Sequence, residues 1–148
     1  MTRTLKGFMN LENIEIRHVP YVESKRFGRG TDAEVLKNVE QLVVRAILTQ
    51  RRPLYGAEVF FLRSVLGLSQ KQLGAYLGYS DVAILKWERN KTKRLEPVNE
   101  VAVRALMAGL FKVKLVASFD SLLGDEKLPK KIVIEYRALK PEDQSDVA

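Results

Sequence analysis

Cysteine is absent from the 148 residues, and histidine and tryptophan occur once each. Without cysteine there is no disulfide and no thiolate metal site, which is compatible with a reducing cytosol. The single histidine, His18, lies in a strand-like stretch and reads as structural. No P-loop, H-E-x-x-H or G-x-S-x-G pattern occurs. No acidic or histidine cluster is visible to hold a metal or move a proton. The chain is therefore read as a non-enzyme without cofactor or metal. No apolar run approaches the ~20 residues a spanning helix needs. Residues 1–13 lack the apolar segment of a secretory signal. The expectation is a cytoplasmic protein away from membranes. No internal repeat or low-complexity stretch is present, and the length suits one domain or two small ones.

What the chain has in excess is positive charge. Lys and Arg number 25 against 18 Asp and Glu, a formal net charge of +7. Such a balance suits a polyanionic partner. Hydrophobic residues make up 46% of the chain, enough for a real core.

The richest segment is 55–94, YGAEVFFLRSVLGLSQKQLGAYLGYSDVAILKWERNKTKR. It reads as helix, glycine turn, helix, glycine turn, helix and basic loop, the pattern of a helix-turn-helix. Gly56 is the expected N-cap of the first helix, with Tyr55 and Phe60 as a hydrophobic staple. Phe61, Leu62, Val65 and Leu66 recur at helical spacing. Gly67 marks a left-handed stop. Ser69 and Gln72 have the spacing of a capping box for the second helix, whose Leu73 and Leu77 face inward. Gly74 costs roughly 1 kcal/mol against Ala inside a helix. That cost makes sense if another helix crosses closely there. Gly78 supplies the next turn, and Ser80 caps the third helix. Ile84 and Trp87 point inward, leaving Asp81, Val82 and Lys86 on an outward face near the helix start.

These residues resemble the Cro/cI (XRE) class of bacterial and phage DNA-binding domains over 56–110. Gln70 matches the first motif position, Gly74 the small crossing position and Gly78 the turn. Leu73, Leu77, Ile84 and Trp87 match the core, and 90–94 matches the basic loop after the recognition helix. The resemblance implies that Asp81, Val82 and Lys86 face bases. It implies phosphate contacts from Gln70, Ser80, Arg89, Lys91, Lys93 and Arg94. The chemistry allows this: lysine donates to guanine, Val82 meets a thymine methyl, and Asp81 accepts from cytosine N4. Asp81 departs from the amide usual there, and its alternative task is to favour its own helix N-terminus. Leu85 is unexpected on a half-exposed side; it packs on the following helix or meets thymine methyls.

Three short amphipathic helices also make an ordinary bundle, and a charge run is usually a solvated face. Between Gln70 and Arg94, however, six basic residues (Lys71, Lys86, Arg89, Lys91, Lys93, Arg94) stand against two acidic ones (Asp81, Glu88). A random solvated face mixes signs more evenly.

Outside the motif, residues 13–23 predict a short strand or pair, with Pro20 at an edge or end. FGRG at 27–30 reads as a turn, or as a basic tip touching DNA. A helix begins at Thr31, which has capping-box spacing to Glu34. Its stripe of Val35, Val39, Leu42, Val43, Ala46 and Ile47 packs on the bundle or against a second copy. Pro97 opens a further helix carried by Val101, Val103, Ala105, Leu106, Leu110 and Phe111. Residues 113–123 are apolar enough for another. Ile132, Val133, Ile134 and Tyr136 predict a strand that pairs with the N-terminal one or dimerises through its edge. Residues from Lys140 onward read as a disordered tail.

The expected fold is mainly α, α+β as a whole. It comprises an N-terminal strand and helix (1–52), an XRE-type helix-turn-helix domain (53–124) and a C-terminal strand and tail (125–148). The expected function is a sequence-specific regulator of transcription, a repressor, inserting a recognition helix into the major groove of double-stranded DNA as a homodimer on an inverted repeat. The element order also resembles, more weakly, the MqsA (YgiT-type) antitoxin and regulator group. Its zinc-binding cysteines have no counterpart here, so metal binding does not carry over. That likeness supplies the alternative: an antitoxin that binds a toxin protein and autoregulates its operon.

Overall fold

The computed structural model describes residues 1–26 and 28–139. The expected tail from Lys140 and the residue Phe27 lie outside them. The chain is an α+β mix. Strands β1 (Thr2–Lys6) and β2 (Ile14–Pro20) precede a small hairpin, β3 (Val22–Ser24) and β4 (Gly28–Gly30). Five helices follow: α1 (Ala33–Thr49), α2 (Gly56–Leu66), α3 (Gln70–Leu77), α4 (Asp81–Arg89) and α5 (Pro97–Phe111). A single turn, α6 (Phe119–Leu122), and strand β5 (Ile132–Glu135) come last, and a 3-10 turn (Phe8–Asn10) joins β1 to β2.

The main sheet has the order β1-β2-β5. β2 pairs antiparallel with β1 and parallel with β5, with Ile16 opposite Leu5 on one side and Ile134 on the other. The expected pairing of the C-terminal strand with the N-terminal one therefore forms, and segments 1–52 and 125–148 share one sheet. β1 was not expected. Pro20 closes β2, where its missing N–H costs no ladder bond. His18 adopts φ +61° and the register with β1 shifts opposite it, a β-bulge that turns Arg17 and His18 outward. His18 Nδ1 lies 2.6 Å from Glu135 Oε2, linking β2 to β5 at the surface. The Gly28–Gly30 part of the expected turn is a strand.

One core unites sheet and helices. Ile14, Ile16, Ile132, Val39, Val43, Ile47, Phe61, Leu62, Leu73, Ile84, Val103 and Met107 all belong to it. Each fully buried side chain of this kind contributes about 1.5–3 kcal/mol. Helix α1 lies at its centre, touching β2, β5, α2 and α5. Its stripe is covered within the chain, so packing, not a second copy, accounts for it. Its cap is Asp32, which accepts from the Glu34 N–H at 2.8 Å, one residue later than the predicted Thr31.

Other expectations shift in the same way. The N-cap of α2 is Tyr55, so Leu54 and Val59 take the staple positions; both are buried, while Phe60 is exposed. Gly56 becomes the first helical residue, and a Cβ there would lie 1.9 Å from the Trp87 carbonyl oxygen. Residues 113–123 do not form the expected helix. Only 119–122 turn, capped by Ser118, which accepts from the Ser121 N–H.

Helix α5 starts at Pro97 as predicted but buries two charges, Glu100 and Arg104. Glu100 accepts from the backbone N–H groups of Leu54 (2.8 Å) and Gly124 (2.6 Å). Arg104 donates to the carbonyls of Leu122 and Arg52. This pair pins the loop between α1 and α2 and the chain at the end of α6 to α5. No helix among the described residues is long and apolar enough to cross a membrane.

Candidate nucleic-acid interface

Helices α2, α3 and α4 are cut to length by local chemistry. Gly67 and Gly78, at φ +70° and +76°, end α2 and α3. Ser69 accepts from the Gln72 N–H at 3.0 Å while Gln72 accepts from the Ser69 N–H at 2.8 Å, closing the predicted capping box. Ser80 caps α4 by accepting from the Ala83 N–H at 3.2 Å. Gly74 sits where a Cβ would meet the Tyr79 carbonyl oxygen at 2.4 Å. The close approach expected there exists, but it comes from the backbone of the turn.

The turn is anchored from outside as well. The Tyr79 ring packs edge-on against Trp87, centroids 5.2 Å apart, and its hydroxyl donates to Asn99 Oδ1 at 2.7 Å. Helix α4 is thereby held to α3 and α5 together.

Within α4, Ile84 and Glu88 are buried, while Asp81, Val82 and Lys86 are exposed. Val82 is 54% exposed, unusual for an aliphatic side chain. Asp81 Oδ1 accepts from the Val82 N–H at 2.9 Å. It thus engages its own helix start, the alternative task foreseen for it. Leu85 is half-buried and lines a cleft with Gln70 and Arg89.

Glu88 has a task that sequence reasoning missed. Arg63 of α2 forks onto it, Nε to Oε2 and Nη2 to Oε1, both at 2.8 Å. Gln70 of α3 donates to the same carboxylate at 3.1 Å. One buried carboxylate ties all three helices. An amide nitrogen carries two hydrogens, so Gln70 keeps a second donor hydrogen.

Arg94 is placed apart from the other basic residues of the loop. Its side chain is only 24% exposed and pairs with Glu100 at 3.0 Å and Glu126 at 2.5 Å. It belongs to the ion cluster at α5, not with the outward lysines. Lys91 and Lys93 are exposed, as are Ser80 and Arg89. Their loop is held by its backbone: the Lys93 and Lys91 carbonyls accept from the Gly56 and Ala57 N–H groups, each at 3.2 Å.

The segment's exposed charge is therefore more one-sided than composition suggested. Pairing of Arg94 leaves five exposed basic residues, and burial of Glu88 leaves Asp81 as the one exposed acid. Among the described residues no group of three or more His, Asp or Glu side chains is placed to hold a metal ion. Protein-family models, curated proteins and solved structures contain no match to this chain.

Proposed function

We propose that the chain is a sequence-specific DNA-binding regulator of the Cro/cI (XRE) kind, with α3 and α4 as its helix-turn-helix. One observation carries the reading. The short helix α4 buries Ile84 and Glu88 yet exposes Asp81 and Val82 at its N-terminus and Lys86 about one turn further on, beside a loop exposing Lys91 and Lys93. A recognition helix in a major groove uses its N-terminal residues on base edges. In this reading Lys86 and Val82 read bases, and Asp81 divides its carboxylate between cytosine N4 and its own helix start. Gln70, Ser80, Arg89, Lys91 and Lys93 meet phosphates and set register. Binding, not catalysis, is the activity.

Repression follows from occlusion of a promoter by a homodimer. Because α1 is spent in the core, the surface for a second copy in this reading is β5, one of the two edges of the main sheet, whose Val133 is 41% exposed. Fluorescence anisotropy on duplex DNA across a salt series tests the reading. Affinity should fall steeply as salt rises, with a slope of about 0.9 per phosphate contacted. Absence of binding at low salt would end it.

A further inference from the structure

A cleft of about 420 Å³ lies between the start of α2, the loop after α4, residues 10–13 between β1 and β2, and Lys130. That size falls in the range of small-molecule sites, roughly 300–1,000 Å³. Its lining carries both signs of charge, Lys91 and Lys130 with Glu12 and Glu58, and includes Asn10 and Tyr55. Lys130 Nζ stands 5.1 Å from the centre of that ring, which holds the ammonium group at the wall.

The backbone donors at the start of α2 are not on offer, since the loop carbonyls of Lys91 and Lys93 take the Ala57 and Gly56 N–H groups. Recognition falls to side chains. Glu58 is 2% exposed, and one carboxyl oxygen accepts from the Tyr55 N–H at 3.1 Å. Burial pushes its carboxyl up to about 7, so it readily takes either form near neutral pH. A simple anion would suit the lysines but face two carboxyl groups; a simple amine would suit the carboxyl groups but face two lysines. A molecule with both charges satisfies both kinds of group.

We infer that this cleft binds a free α-amino acid, its carboxylate on Lys91 and Lys130 and its ammonium on Glu58 and Glu12. Lys91 also borders the neighbouring cleft lined by Gln70 and Arg89. On the proposed DNA-binding reading, and resting on it, a bound amino acid withdraws Lys91 from a phosphate and weakens DNA binding.

Isothermal titration of the full chain near neutral pH, without DNA, tests the site. The probes are the standard amino acids, with acetate and ethylamine as single-charge controls. At least one amino acid should bind with one site per chain, and neither control should saturate. Lys130→Gln, at an exposed position, should weaken that binding about ten-fold or more at unchanged unfolding midpoint. Glu58→Gln should weaken it too. No saturable heat from any amino acid, equal binding of acetate, or indifference to Lys130→Gln would each overturn the site. Because no DNA is present, these outcomes stand whether or not the chain proves to bind DNA. The coupling is read separately: saturating amino acid should weaken DNA binding of the unaltered chain several-fold and leave Lys91→Ala unaffected.

Discussion

Arg63 and Glu88, 25 residues apart, meet in a two-pronged ion pair that locks α2 onto α4, with Gln70 of α3 on the same carboxylate. Both side chains are largely buried, 13% and 5% exposed. Removing one partner from such a pair strands the other charge, at a cost of about 3–5 kcal/mol. Arg63→Ala and Glu88→Ala should each lower unfolding free energy by about 3 kcal/mol in urea, and the double variant should lose much less than the sum. Additive losses would show that the pair does not couple.

The outward face makes a different kind of prediction. On the DNA-binding reading, Lys86→Ala relaxes sequence preference at one position and costs roughly 1–3 kcal/mol. Lys93→Ala weakens all sequences evenly and lowers the salt slope by about one. Arg94→Ala, by contrast, should destabilise the fold through its bond to Glu100 and leave the slope of the folded fraction unchanged. Anisotropy titrations at several salt concentrations separate the three. Loss of affinity in Lys86→Ala without altered preference would remove its base-reading role.

Glu58 makes stability depend on pH. Its folded pKa, raised by burial to about 7, exceeds the unfolded value of 4.5, with Arg104, Glu100 and Arg52 as the charges around it. Below the unfolded value the carboxyl is protonated in both states. As pH rises the unfolded state ionises first, so stability falls, until by about pH 7 roughly 3 kcal/mol has been lost. Urea unfolding at pH 5 and pH 8 should show this drop, and Glu58→Gln should reduce it. An equal drop in the variant would place its origin elsewhere.

Gly74→Ala tests the turn. Added helix propensity would contribute about 1 kcal/mol. The Cβ would press on a backbone carbonyl, which cannot rotate away as a side chain does. The variant should therefore unfold more easily, by about 1–3 kcal/mol. A stabilised variant would mean that the turn relaxes freely.

Much of α2 to α5 was legible because local chemistry marks those helices. Ser69 with Gln72, Ser80, Gly67, Gly78 and Pro97 act within one turn of the chain, and the period of Ile84 and Trp87 set Lys86 outward. Caps slipped by one residue where neighbours competed, Tyr55 over Gly56 and Asp32 over Thr31. β1 was missed because its pairing with β2 is decided by partners elsewhere in the chain. The expected 113–123 helix shrank to one turn, although its apolar residues suited a longer one. The buried charges were missed for a related reason. Glu88 and Arg94 count toward the surface charge, and Glu100 and Arg104 carry no signal at all, until partners such as Arg63 and Gly124 arrive, and no spacing rule announces those.

The central claim is that the face of α4 reads a DNA sequence. Selection of bound sites from random duplex DNA, with sequencing of the enriched pool at moderate salt, tests it most directly. The account predicts an enriched motif of two inverted half-sites about one helical turn, ~34 Å, apart. It also predicts that Lys86→Ala blurs one position in each half. Binding with no enriched sequence would contradict it, reducing the basic face to a non-specific anchor.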